Sequence, residues 1–173
     1  LGLGVLLPLQ QPVLDLLARP GPHHLHFIQF AEDVMAGVMF LHGQNVAHRD
    51  IKPENLVYTD TFRVQIIDFE LAIRVQDEDD TVEDDVGTDD YRAPETYDPY
   101  GEGRPKPYSP IRADRWSCGR VVLWVLSRLD DSVLCPDLFS FAHRLQDDNP
   151  MDRPPLVEWM KDEGKDGKGM VSQ

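Results

Sequence analysis

The chain has 173 residues, 31 acidic against 17 basic, and a formal net charge of −14, so electrostatic binding to nucleic acid or an anionic membrane is disfavoured and basic partners are favoured. Its length fits one domain, and 41% hydrophobic residues suffice for a buried core. Two cysteines, Cys118 and Cys135, make neither a disulfide framework nor a zinc signature, and no apolar run is long enough to span a bilayer, which points to the cytoplasm or the nucleus.

Leu3 to Leu9 reads as a short apolar strand, broken by Gln10 to Pro12, and the Leu-rich start has no basic flank, against the pattern of a signal peptide. Val13 to Ala18 predicts one or two helical turns, stopped by Arg19-Pro20-Gly21-Pro22. His23, His24 and His26 match no metal-ligand spacing and read as a solvated helix start. Residues 27 to 42 predict a helix: Phe27, Phe30, Ala31, Val34, Val38 and Leu41 share one face, Ile28, Met35 and Met39 widen it, and Gly43 is its stop. Leu56–Tyr58 and Val64–Ile67 read as two strands joined by a hairpin at Thr59 to Arg63. Asp77 to Asp85 holds seven acids in nine residues and reads as a solvated, mobile loop. Tyr97 to Pro110 reads as a loop, Trp116 to Leu129 as a second buried helix, and Leu138–Leu145 and Pro155–Lys161 as shorter helices; residues 164–173 read as a frayed tail.

Between the first helix and the hairpin lies His48-Arg49-Asp50-Ile51-Lys52-Pro53-Glu54-Asn55. It sets a carboxylate, an ammonium and a side-chain amide within six residues, Asp50 to Asn55. Phosphoryl transfer asks for such groups: one to orient a hydroxyl, one to hold phosphate charge, one to bind a metal. The octapeptide resembles the catalytic loop of eukaryotic protein kinases. Further motifs follow in that family's order: Asp68-Phe69-Glu70 after the second strand, Gly87-Thr88 with Ala93-Pro94-Glu95, Asp114 at the second core helix, and Arg153. Lys52 and Thr88 together resemble the serine/threonine type.

The resemblance implies a mainly α (α+β) fold, a protein kinase-like C-terminal lobe with a small β-hairpin at the active site. It would occupy residues 1–162, with the adenine-holding hinge near 7–10 and a flexible tail at 163–173. It implies an enzyme that uses ATP and Mg²⁺ to phosphorylate a protein Ser/Thr hydroxyl. Asp50 would act as catalytic base, Lys52 would neutralise charge on the transferred group, and Thr88 would bond both and seat the substrate. Asn55 and Asp68 would hold magnesium, and Val57 would floor the adenine. Phe69 would pack under His48, Asp114 would accept backbone N–H groups of the catalytic loop, and Glu95 would pair with Arg153. Arg49 would meet an activation-segment phosphate, for which Asp84 is the expected substitute and Thr81 the alternative phosphosite.

Two departures stand beside these matches. Glu70 replaces a glycine of the family pattern, and glycine tolerates backbone angles other residues resist. No Gly-x-Gly-x-x-Gly loop or Val-Ala-Ile-Lys-like lysine precedes the catalytic loop. The expectation is therefore a truncated kinase domain with the N-terminal lobe absent, poorly active alone. The rival is a catalytically impaired pseudokinase serving as an interaction scaffold, favoured by Glu70 and opposed by intact Asp50, Lys52, Asn55 and Asp68. A small-molecule kinase of the aminoglycoside type is opposed by Arg49, Lys52 and Ala93-Pro94-Glu95.

Overall fold

In the computed structural model, which describes residues 11–14, 24–98, 106–129 and 135–160 (24–26 by their backbone alone), the longest element is helix α1, His24–Gly43. Its apolar residues recur every three or four positions, so Phe27, Phe30, Ala31, Val34 and Val38 are buried as their spacing predicts. The chain leaves the helix through Asn45, which takes the left-handed φ of 56°.

The second core helix, α2, spans Pro110–Leu126, and α3 spans Pro136–Leu145. Val121, Val122 and Val125 of α2, Leu138, Phe141 and Leu145 of α3, and the apolar face of α1 form one cluster. Each such side chain contributes about 1.5–3 kcal/mol on burial. The approach of α3 to α2 is set at Gly119, where an added Cβ would fall 2.8 Å from the carbonyl of Ala142 and 2.9 Å from Leu145 Cβ. α2 begins six residues before the sequence reading placed it. Ser109 Oγ accepts the amide of Arg112 at 3.2 Å, and Pro110 at the first helical position has no N–H to leave unpaired. Of the expected helix at 155–161, Val157–Met160 is helical.

Two small antiparallel sheets pack against α1, and one of them also touches α2. The hairpin forms as expected from β3 (Leu56–Tyr58) and β4 (Val64–Ile66), with Tyr58 opposite Val64. An unexpected edge strand, β1 (Gln11–Pro12), pairs with β3 where a break was read, and Tyr58 OH donates to Gln11 Oε1 at 2.6 Å. An edge position tolerates Pro12, which has no ladder N–H to give. The second sheet, β2 (Val46–Ala47) with β5 (Ile73–Arg74), was also not anticipated. Asp33, buried on α1, ties the hairpin down by accepting two bonds from Arg63 Nε, one from Nη2 and one from the amide of Val64.

The acidic segment 77–85 is not the free loop its composition suggested. Arg112 and Arg115, on the first turns of α2, grip Glu78, and Arg112 also binds Asp79 at 2.6 Å. Ser109 Oγ and Arg112 donate to the carbonyl of Glu78, and Val82 and Tyr108 exchange backbone bonds at 3.0 Å. The expected strand at 3–9, the hinge at 7–10, the His23 side of the helix start, most of the 13–18 turn and the 163–173 tail lie outside the described residues, as do 99–105 of the expected 97–110 loop.

Candidate functional site

The octapeptide His48–Asn55 follows β2 and is shaped by one buried carboxylate. Asp114, 1% exposed on α2, accepts the amide of His48 at 2.6 Å and that of Arg49 at 2.7 Å. This grip sustains a φ of 72° at Arg49, a left-handed conformation that costs a side-chain-bearing residue about 1–2 kcal/mol. His48 is fully buried: its Nδ1 accepts the amide of Asp50 at 3.3 Å, so Nε2 carries the proton given to the carbonyl of Ile67 at 3.1 Å. The ring meets Phe69 edge-on at 4.9 Å, the expected contact, although Phe69 is 48% exposed.

The turn thus formed presents Asp50, Lys52 and Asn55 together. Lys52 Nζ lies 2.7 Å from Asp50 Oδ2 and 2.8 Å from Thr88 Oγ1. Thr88 Oγ1 donates to Asp50 Oδ1 at 2.7 Å, which closes a ring of three side chains. Asn55 Nδ2 donates to Asp50 Oδ2 at 3.0 Å and to the Asp50 carbonyl at 2.9 Å. Burial pushes the Asp50 carboxyl up, but bonds from Lys52, Thr88 and Asn55 and the charge of Lys52 outweigh it and hold the group below the usual carboxylate range. A carboxylate has about four acceptor positions. Three are taken here, and the fourth, on Oδ1, remains for a hydroxyl.

Asp68 follows β4 after Ile67 and is exposed, with φ 65°. It does not hydrogen-bond Asp50, Lys52 or Asn55, but its neighbour Ile67 donates its amide to the carbonyl of Asn55 at 2.9 Å. This backbone bond ties the segment before Asp68 to Asn55, and the side-chain oxygens of these two residues are the candidate donors for a metal ion. Among the described residues, Asn55 Oδ1 accepts no hydrogen bond and Asp68 accepts a long one from the amide of Glu70 at 3.4 Å. Such a set suits magnesium, which takes one or two protein oxygens and completes its shell with water and phosphate. Among the described residues no trio of His, Cys, Asp and Glu could hold a metal. Val57 is buried at the centre of the three-stranded sheet. Glu70 is exposed and is not among the positive-φ residues, so this conformation does not require glycine there.

Thr88 is delivered by a turn that needs its glycine. Gly87 has φ 102°, and an added Cβ would sit 2.9 Å from the carbonyl of Arg49. The amides of Tyr91 and Arg92 both return to the Thr88 carbonyl. Beyond it, Glu95 binds the fully buried Arg153 side chain in a two-pronged pair at 2.6 and 2.8 Å. Arg153 also donates to the carbonyls of Asp147 and Arg112 and lies over the Trp116 ring. Opposite Arg49, the anticipated Asp84 makes the contact, Nη1 to Oδ2 at 2.9 Å, while Arg92 holds Asp85. The roles of Arg92, Arg112 and Arg115 in fastening the acidic segment were missed, although arginines on one helical turn opposite an acid-rich stretch were a readable signal. Cys118 is fully buried and its thiol is pushed up by burial, so it supplies no thiolate.

A family model described as the protein kinase domain matches residues 19–130. CBL-interacting protein kinase 16 of Oryza sativa subsp. japonica is 41% identical over 103 residues, covering 58% of this chain and 21% of the relative. CBL-interacting serine/threonine-protein kinase 8 of Arabidopsis thaliana is 31% identical over 157 residues, covering 78% and 34%. The cAMP-dependent protein kinase catalytic subunit of Dictyostelium discoideum is 34% identical over 98 residues, covering 57% and 14%. The chain thus spans no more than about a third of these relatives' lengths. Among the described residues no helix is long and apolar enough to cross a membrane. Motif order, site geometry and the family match agree, and the chain belongs to the protein kinase family, among its serine/threonine members.

Proposed function

We propose that this chain carries the phosphoacceptor half of a serine/threonine protein kinase site, transferring the γ-phosphate of ATP to a protein Ser or Thr hydroxyl. The observation that carries this reading is the Thr88 hydroxyl held between Lys52 and Asp50. It sets an ionised carboxylate beside an ammonium with one acceptor position to spare. That position takes the substrate hydroxyl. In a loose transition state the attacking oxygen is aimed more than it is activated. A carboxylate of lowered basicity is suited to aiming it. Lys52, its ammonium a compact point charge, faces the negative charge on the transferred group. Bound magnesium would supply charge neutralisation between the phosphates, with Asn55 and Asp68 as its protein oxygens.

Asp84 serves in this reading as a built-in replacement for a phosphate on the segment, holding Arg49 without modification at Thr81. Transfer from labelled ATP to a serine peptide tests the assignment. Asp50→Asn is expected to lose about 10²–10⁴-fold in rate while staying folded by circular dichroism. Transfer by Asp50→Asn at the unmodified rate ends the reading. Asp84→Ala is expected to lower transfer where Thr81→Ala does not; the reverse result assigns the switch to Thr81.

The rival reading, an interaction scaffold, draws support from the half-exposed Phe69 and from Glu70. It predicts partner binding that survives Asp50→Asn and no transfer by the intact protein.

A further inference from the structure

Beside the Thr88 turn lies a groove of about 390 Å³ lined by Asp90, Tyr91, Arg120, Leu123 and Trp124. Its volume falls within the range of side-chain and small-ligand sites. Its walls are the residues just after Thr88 and the exposed end of α2. Most arginines of the described chain are engaged by carboxylates: Arg49, Arg63, Arg92, Arg112, Arg115, Arg144 and Arg153. Arg120 differs. It is exposed, and only its Nε is engaged, by the carbonyl of Asp90 at 3.2 Å. Among the described residues no carboxylate comes within 4 Å of it. Close by, Arg128 lies over the Trp124 ring at 3.7 Å and, among the described residues, bonds a carbonyl and a hydroxyl. Neither Arg120 nor Arg128 makes a carboxylate ion pair among the described residues, although Asp90 also lines the groove.

We infer that this groove takes an acidic stretch of the protein substrate, an apolar side chain packing on Leu123 and Trp124 and an Asp or Glu carboxylate meeting the free end of Arg120. This names a substrate class for the site proposed above and rests on that reading. A guanidinium offers paired donors that match a carboxylate. The aromatic wall supplies area without adding charge. The local preference is opposite to the one expected from the chain's net acidity, because an exposed charge is felt over about a Debye length, roughly 8–10 Å.

The test is binding of fluorescein-labelled serine peptides to the intact protein, read by anisotropy without nucleotide. Each position from six before the serine to four after it carries Glu, Gln or Lys in turn. One position is expected to favour Glu over Gln by about five-fold and to disfavour Lys, as for a partly exposed ion pair. Arg120→Glu is expected to invert that order, and Arg74→Glu, on the distant β5, to leave it intact. Equal binding of all three peptides at every position, or an order unchanged in Arg120→Glu, overturns the inference. Transfer of phosphate without a Glu preference refutes the groove alone. A Glu preference that inverts in Arg120→Glu, in a protein that never transfers phosphate, supports the groove and refutes the kinase reading.

Discussion

Removing the carboxylate of Glu95 is expected to be among the most destabilising single changes outside the apolar core. Its partner Arg153 has a fully buried guanidinium, whose two terminal nitrogens meet the Glu95 oxygens at 2.6 and 2.8 Å. In Glu95→Ala the cation stays, with the carbonyls of Asp147 and Arg112 as its remaining acceptors. An unpaired buried charge of this kind costs about 3–5 kcal/mol. The lower end applies, because the Glu95 side chain is 18% exposed and water can partly replace it. With a urea dependence of about 2 kcal/mol per molar, a loss of about 3 kcal/mol moves the midpoint down by about 1.5 M. Glu95→Gln keeps an acceptor and should lose about half as much. Glu95→Leu with Arg153→Met removes both charges and should recover part of the loss. It should not recover all of it, since the carbonyls of Asp147 and Arg112 lose the bonds that Arg153 gives them. Urea unfolding followed by circular dichroism reads all three variants. A midpoint shift under about 0.3 M for Glu95→Ala would show that the pair is not what holds the 88–95 turn to the segment around Arg153.

Lys52→Met should raise the carboxyl pKa of Asp50, because the ammonium is a leading lowering influence; titration of the Asp50 carboxyl by NMR checks it. The sign for stability follows. A depressed folded pKa contributes stability that is present above the unfolded value of about 4 and is lost as pH falls through the lower folded value. Lys52→Met should therefore be less stable than the unmodified chain above about pH 4, and the gap should shrink as pH falls. Gly119→Ala should cost about 1–3 kcal/mol through overpacking against Ala142 and Leu145, measured by thermal melting. Arg112→Gln combined with Arg115→Gln should speed hydrogen exchange at the amides of Gln76 and Val82, which the gripped acidic segment now protects; unchanged exchange would mean the backbone contacts suffice.

The chemistry was more legible than the architecture that presents it. Asp50, Lys52 and Asn55 lie within six residues, so their meeting needs only one turn, and the turn is written in the same stretch. The long-range partners Asp114, Asp84 and Arg153 were reached only through the resemblance, since nothing local marks a carboxylate that will accept an amide 66 residues away. β1, β2 and β5 are two residues each, too short to carry a period, and exist because their neighbours pair with them. The acidic segment was misread because composition counts its charges without seeing Arg112 and Arg115 across from it. The start of α2 was misplaced although Ser109-Pro110 is a helix-start signal; the apolar run further on drew the boundary to itself.

The dependence of His48 and Arg49 on Asp114 has a consequence for heredity as well as for chemistry. A synthetic peptide spelling residues 48 to 55 would not keep this bend, for the left-handed step at Arg49 has no local support. A lesion at codon 114, far from any reacting atom, should therefore mimic a lesion at the reactive carboxylate itself. A screen for inactive alleles would recover both classes, and only a folding measurement would tell them apart.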